Sequence, residues 1–188
     1  LIYNQISDAD QNPRVLRVAQ KLINEAGLPV INPPKRILGT TRDRVEANLR
    51  GLAEAVVPRT VAMKRPSCAK IIRLVETGAL AFPIIVRRMG SHTGRDTYLC
   101  RNPADVDAAV DDIVGDAYVS QYIDYSSPDG LFRKFRFLQI GERIVFRHMI
   151  TSDDWNVHGA DIDRFMVPNP EHLQAEAEQA YKPIDDIS

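Results

Sequence analysis

Apolar and polar positions along this chain switch between a helical and a strand period. "LIYNQI" opens as a short strand, and "SDADQNP" is a polar loop broken at Asn12–Pro13. "RVLRVAQKLINEAG" then carries Val15, Leu16, Val18, Ala19, Leu22 and Ile23 at helical spacing and closes on Gly27, a C-terminal cap. "LPVIN" is a second short strand stopped by Pro33–Pro34, and strand–helix–strand over about 30 residues predicts a βαβ unit.

"TTRDRVEANLRGLAEA" predicts a second helix, with Thr40 or Thr41 as cap and Asp43 in its first turn. "VVPRTVAM" is extended, and "SCAKIIRLVETGA" is a helix capped by Ser67. "FPIIVRR" and "DTYLC" are strands, and "NPADVDAAVDDIVG" is a helix with Asn102 as cap, Pro103 at its first position and Gly115 beyond its end. "AYVSQYID" is rich in β-formers, and "LFRKFRFLQIGERIVFRHMI" predicts a hairpin turning at Gly141–Glu142. On its first strand Phe132, Lys134, Arg136 and Leu138 share one face, and Arg133, Phe135, Phe137 and Gln139 the other. "TSDDWNVHGADIDRFMVPNP" has no clear period, and "EHLQAEAEQAYKPIDD" is a polar terminal helix. Helices alternate with strands for two thirds of the chain and a β-rich part follows, so the fold class is α+β (α/β) in more than one lobe.

Composition narrows the function. The 188 residues are 44% hydrophobic, enough for one or two compact domains. A formal net charge of −1 argues against bulk attraction to nucleic acid or anionic lipid. Hence Phe132, Phe135 and Phe137 are read as core, and no nucleic-acid partner is expected. No apolar run approaches the roughly 20 residues that span a bilayer, and no signal peptide is visible, so no membrane partner is expected. The only cysteines, Cys68 and Cys100, are far apart and fit a reducing compartment, hence the cytoplasm. Cys68 sits early in a helix with no His near it in sequence and is read as a plain helix residue.

The candidate chemistry is basic. "VRRMGSHTGRD" ends an apolar strand in Arg87 and Arg88 and continues through Gly90, Ser91, His92, Thr93 and Gly94 to Arg95. Small residues let backbone N–H groups approach an anion, and arginines pair with phosphate oxygens. The stretch is neither a Walker loop nor a GxGxxG fingerprint, and a turn with a solvated basic rim fits it as well. Lys134 and Arg136, with Arg147 on the paired strand, fit either a ligand-binding face or a solvated outer face. His148 and His158 lie near Asp153 and Asp154 without the spacing of a zinc site.

The order of these segments resembles the ATP-grasp superfamily over roughly residues 28–160, closest to bacterial members sometimes fused to tetratricopeptide repeats. The resemblance implies two α+β lobes holding ATP, preceded by the tail of a βαβ pre-ATP-grasp domain. It places that tail at 1–38, the first lobe with its glycine-rich loop at 39–115 and part of the second at 116–188. "FPIIVRR" is similar to the family's "FPVVVKP", so Arg87 stands where an ATP-contacting lysine is usual and Arg88 where a proline is. Gly90 to Gly94 resemble the loop that folds over the triphosphate. "VSQYID" resembles the hinge strand "vvEefI": Gln121 replaces its acid, and Tyr122 and Ile123 would offer backbone groups to adenine. Arg136 resembles the arginine of "DxRvfvigg", with Lys134 in place of its acid, and Arg147 joins it as a candidate catalytic cation. "TSDDWNVH" is similar to a segment near the substrate site, and His158 there or His92 in the small-residue loop is a further substrate-site candidate.

The implied activity is ADP-forming ligation of a small-molecule carboxylate to an amine or thiol, with ATP and Mg²⁺. One departure stands out. The family's metal-ligand pattern, "D…E-x-N", does not occur before Ser188, and "PIDDIS" offers only Asp185 and Asp186. With no initiating Met, this suggests a truncated chain whose metal ligands lie outside it or are missing. The alternatives are a non-catalytic nucleotide-binding or interaction module and a plain α/β scaffold. A homodimer and a fused repeat domain are also expectations.

Overall fold

The computed structural model describes residues 1–180, with the side chains of 1–179; Asp185 and Asp186 lie outside them. Two compact units divide the chain, residues 1–91 with 96–122 and residues 92–95 with 123 onward.

In the first unit, β1 (Ile2–Tyr3) and β2 (Val30–Ile31) pair in parallel across α1 (Pro13–Ala26), which is the predicted βαβ unit. Gly27 ends α1 in the left-handed conformation, its N–H bonded to the Ile23 carbonyl at 3.2 Å. Only Leu16 and Ile23 of its apolar stripe are buried; Val15, Val18 and Leu22 stay exposed. A short helix that the pattern did not signal, α2 (Pro34–Ile37), precedes α3 (Arg42–Leu49). Helix α3 is shorter than expected because Arg50 is extended and Gly51 takes φ +93°. Thr41 occupies its cap position without a side-chain bond, while the Thr40 hydroxyl donates to the Ile37 carbonyl.

The rest of this unit is one antiparallel sheet. Strands β3 (Thr60–Met63), β4 (Ile84–Arg88), β5 (Thr97–Cys100) and β6 (Ala117–Gln121) lie in the order β3-β6-β4-β5. Helices α4 (Cys68–Glu76) and α5 (Pro103–Asp112) start on Ser67 and Asn102, whose side chains accept the Lys70 and Asp105 N–H groups. Ile84, Val86, Val119, Ala117 and Cys100 point to one face and pack with Ile71 of α4 and Val106 and Ala109 of α5. Burial pushes the Cys68 thiol up, with Asp107 adding to it, as suits a packing residue.

The second unit is built on a long hairpin. β7 (Phe132–Ile140) and β8 (Arg143–Ser152) turn at Gly141–Glu142, as predicted. A bulge shifts the register: Arg136 opposes His148, but Phe137 opposes Phe146. Ile150, Val157 and Met166 form the core with Phe132, Phe165 and Leu173; Met166 lies in a π-helical turn, Ile162–Met166, and Leu173 in α6 (Pro170–Ala180). The assignment of all three hairpin phenylalanines to the core is corrected: Phe132 packs there, whereas Phe135 and Phe137 are 46% and 45% exposed. In this outer half of the ribbon the rings pack on one another, with Phe137 edge-on to Phe146 at 5.5 Å. Among the described residues no helix is long and apolar enough to cross a membrane. The chain is an α+β protein.

Ile84 is fully buried at the centre of the sheet. Ile84→Ala is expected to cost about 2–5 kcal/mol in urea unfolding, against less than about 0.5 kcal/mol for Val114→Ala at an exposed position.

Candidate functional site

Alternation along β4 turns Arg87 away from the α4–α5 face. Tyr118 and Thr97 oppose it on the flanking strands and share its side of the sheet. The Arg87 Nε donates to the Ser91 Oγ at 3.1 Å and a terminal nitrogen donates to the Ser91 carbonyl. Ser91 is buried, and its hydroxyl donates to the Arg88 carbonyl at 2.9 Å. Gln11, from the loop after β1, donates through Nε2 to the Gly90 carbonyl at 2.7 Å. The root of the loop is therefore gripped from both sides.

The electrostatics of Arg87 are unusual. Burial brings its pKa down to about 10, nearby Arg42 acts in the same sense, and Asp10 opposes both. The guanidinium is still charged at neutral pH. Among the described residues, no carboxylate lies within ion-pair distance of it. Arg88 differs: its Nε bonds the Asp96 carboxylate at 2.6 Å where β5 begins. Tyr118 donates to Asp10 Oδ1 at 2.6 Å; burial and that bond raise its pKa.

His92, Thr93, Gly94 and Arg95 belong to the second unit. Thr93 and Gly94 adopt φ +56° and +75°, and the Gly94 carbonyl accepts a bond from Asn156 Nδ2 at 3.0 Å. The structure thus splits the predicted loop into a root (Gly90, Ser91) and a tip (His92 to Gly94) with different partners.

Gln121 acts as a brace. Its Oε1 accepts the Ala81 N–H at 2.9 Å, and its Nε2 donates to the carbonyls of Ala81, Pro83 and Tyr122 at 2.9, 3.1 and 3.2 Å. The Tyr122 N–H bonds the Pro83 carbonyl at 3.2 Å. The side chain of Gln121 and the backbone of Tyr122 are thereby engaged within the protein. Ile123, at the start of the second unit, forms no backbone hydrogen bond among the described residues.

The hairpin gathers cations. Lys134 donates to the Val157 carbonyl at 3.0 Å, Arg136 is exposed, and Arg147 is the extra residue of the bulge. Burial holds the His148 pKa down, helped by Arg136, Arg147 and Lys134 and opposed by Glu176. Beyond the hairpin lies an arrangement that the aperiodic sequence concealed. Asp161, 2% exposed, accepts from Ser152 at 3.2 Å, from Arg164 at 2.9 and 2.7 Å and from the His158 N–H at 2.7 Å. Arg164 also bonds Asp153 at 2.6 Å. The one signal in the sequence is the i,i+3 spacing of Asp161 and Arg164. Among the described residues no group of three or more His, Cys, Asp or Glu side chains could hold a metal.

No family model and no curated protein matches the chain. Among solved structures, it resembles carboxyaminoimidazole ribonucleotide synthase from Aspergillus clavatus complexed with ATP. The TM-score is 0.48 and the identity 11%, over 73% of this chain and 35% of that one. The chain therefore spans about a third of that enzyme's length.

Gln121→Glu is expected to lower stability by about 1–3 kcal/mol in urea unfolding, because three carbonyls lose a donor and face a carboxylate. Alkali should act through Tyr118. The folded chain holds that proton more tightly than the unfolded chain does. Its contribution is thus complete below about pH 10 and lost as pH rises beyond it. Denaturation midpoints between about pH 9 and 11 should fall less steeply in Tyr118→Phe than in the parent protein.

Proposed function

We propose that the chain is the nucleotide-binding part of an ATP-grasp-like ligase. Such an enzyme makes an acyl phosphate from a carboxylate and ATP, then joins the acyl group to an amine or thiol. The observation that carries this reading is Arg87: a half-buried, charged guanidinium with Arg42 near it, no carboxylate partner among the described residues, and a glycine-containing loop at its root. A desolvated cation of this kind is suited to a polyanion, which restores the neutralisation that burial withholds.

In this reading Arg87 and the Gly90–Gly94 loop bind phosphates, and the Tyr122–Ile123 backbone meets the adenine edge. Engagement of the Tyr122 N–H and carbonyl leaves Ile123 as the stronger donor and acceptor of the pair. Lys134, Arg136 and Arg147 supply positive charge for the transferring phosphoryl group and the acyl-phosphate oxygens. The carboxylate oxygen attacks the γ-phosphorus as ADP leaves; the amine or thiol then attacks the acyl carbon as inorganic phosphate leaves. This chain's part in both steps is positioning and charge stabilisation. Magnesium supplies charge neutralisation in such transfers. The described residues offer no donor set that fits it, so the reading assigns it no ligand here.

Thermal unfolding with and without MgATP tests this. Ligand at 100 times its Kd should add about 2.7 kcal/mol of stability to the wild-type chain. Arg87→Ala should lose most of that gain, each chain being compared with its own ligand-free midpoint. No stabilisation of the wild type at millimolar MgATP would overturn the reading. Stabilisation without turnover of any carboxylate and amine or thiol would favour a binding module.

A further inference from the structure

We propose that the turn at residues 152–161 is the seat of the glycine-containing loop, with Asn156 and His158 as positioning residues that fix its tip. The inference rests on the reading of that loop as a phosphate binder. Asn156 Nδ2 donates to the Gly94 carbonyl at 3.0 Å. The Gly94 Cα comes so close to the seat that a Cβ there would lie 2.4 Å from His158 Cδ2 and 2.9 Å from Asn156 Nδ2. With φ +75° as well, position 94 admits glycine for two independent reasons.

The seat is rigid for reasons unrelated to the loop. The His158 N–H and its Nδ1 lie 2.7 and 3.7 Å from Asp161 Oδ2, and its Nδ1 accepts the Ala160 N–H at 3.3 Å. Asp161 is anchored in turn by Ser152 and Arg164. The Asn156 N–H bonds Asp154 Oδ1 at 2.8 Å, and the Asp154 N–H bonds the Ser152 hydroxyl at 3.0 Å. Lys134 and Tyr125 hold the carbonyls of Val157 and Trp155 on either side of Asn156. An ionic knot centred on the buried Asp161 and Ser152 backs this turn, and the turn aims one amide donor at one loop carbonyl. Preorganising a loop in this way lowers the ordering cost when its ligand binds.

Hydrogen exchange and MgATP titration on the full chain test the seat and its role separately. Asn156→Asp keeps the shape but sets a carboxylate against the Gly94 carbonyl. Gly94→Ala breaks the same contact from the loop side while Asp161, Ser152 and Arg164 keep their side chains. In both variants amide exchange across residues 91–95 should accelerate while exchange in α5 stays unchanged. The MgATP Kd should rise about three- to tenfold, the range a single neutral hydrogen bond carries. Unchanged loop exchange in both variants would overturn the seat. Faster exchange with an unchanged Kd would overturn the positioning role. If the wild-type chain binds no MgATP, the proposed function falls, and the exchange arm alone then decides whether the seat exists.

Discussion

A charged group held half out of water beside another positive charge is the constraint around which the first unit is arranged. Arg87 lies on a strand whose neighbouring residues, Ile84 and Val86, are fully buried in the sheet core. The backbone position is thus set by packing on one face, and the guanidinium follows on the other. A buried cation is ordinarily matched by a carboxylate. Here the matching is done by hydrogen-bond acceptors, the Ser91 hydroxyl and carbonyl, which satisfy donors without cancelling charge. Asp10, the acid whose field favours the charged form, is itself bonded to Tyr118. The consequence is a fixed positive site with unmet electrostatic demand, built on a strand rather than on a mobile side chain.

The same bonds shape the loop. Ser91 cannot accept from Arg87 unless the chain turns back after Gly90, and Gln11 closes that turn by bonding the Gly90 carbonyl. The root is thereby defined by β4 and by the segment after β1, two stretches about 75 residues apart in sequence, which local pattern could not connect. Four residues later the tip answers to other partners, Asn156 and His158. Root and tip, each bonded within its own unit, have fewer conformations to lose than the same residues in a free glycine loop.

Much of this was legible in the sequence because the relevant signals are local. Ser67 and Asn102 bear caps exactly where short polar residues precede apolar helical spacing, and Gly27 and Gly141 mark a helix end and a hairpin turn. The position of Arg87 at the foot of a glycine-containing loop was equally readable. Gln121 was not: a carboxamide clamped to four backbone groups looks, in one dimension, like a substituted acid in a hinge strand. Phe135 and Phe137 failed differently. Alternation identified their shared face correctly but could not say whether another layer covers it, and two strands alone do not supply one. The 152–164 segment was opaque because its order comes from charge contacts between Asp153, Asp161 and Arg164, which leave no hydrophobic period.

The bulge in the hairpin shows how a small backbone irregularity sorts charge from apolar surface. Without it, Phe137 would oppose Arg147 directly after the Arg136–His148 pair. With it, Phe146 takes that place and packs edge-on against Phe137, and Arg147 is left without a cross-strand partner. An aromatic pair contributes about 0.5–1.5 kcal/mol beyond its buried area, which helps to offset the ladder bonds that a bulge disrupts. The displaced arginine stays close enough to His148 to disfavour its protonation, as do Arg136 and Lys134. All three cations disfavour the charged form of His148, and Glu176 acts in the opposite sense. Sheet geometry therefore gathers positive charge around His148 on β7 and β8, by a physical route different from the burial that acts on Arg87.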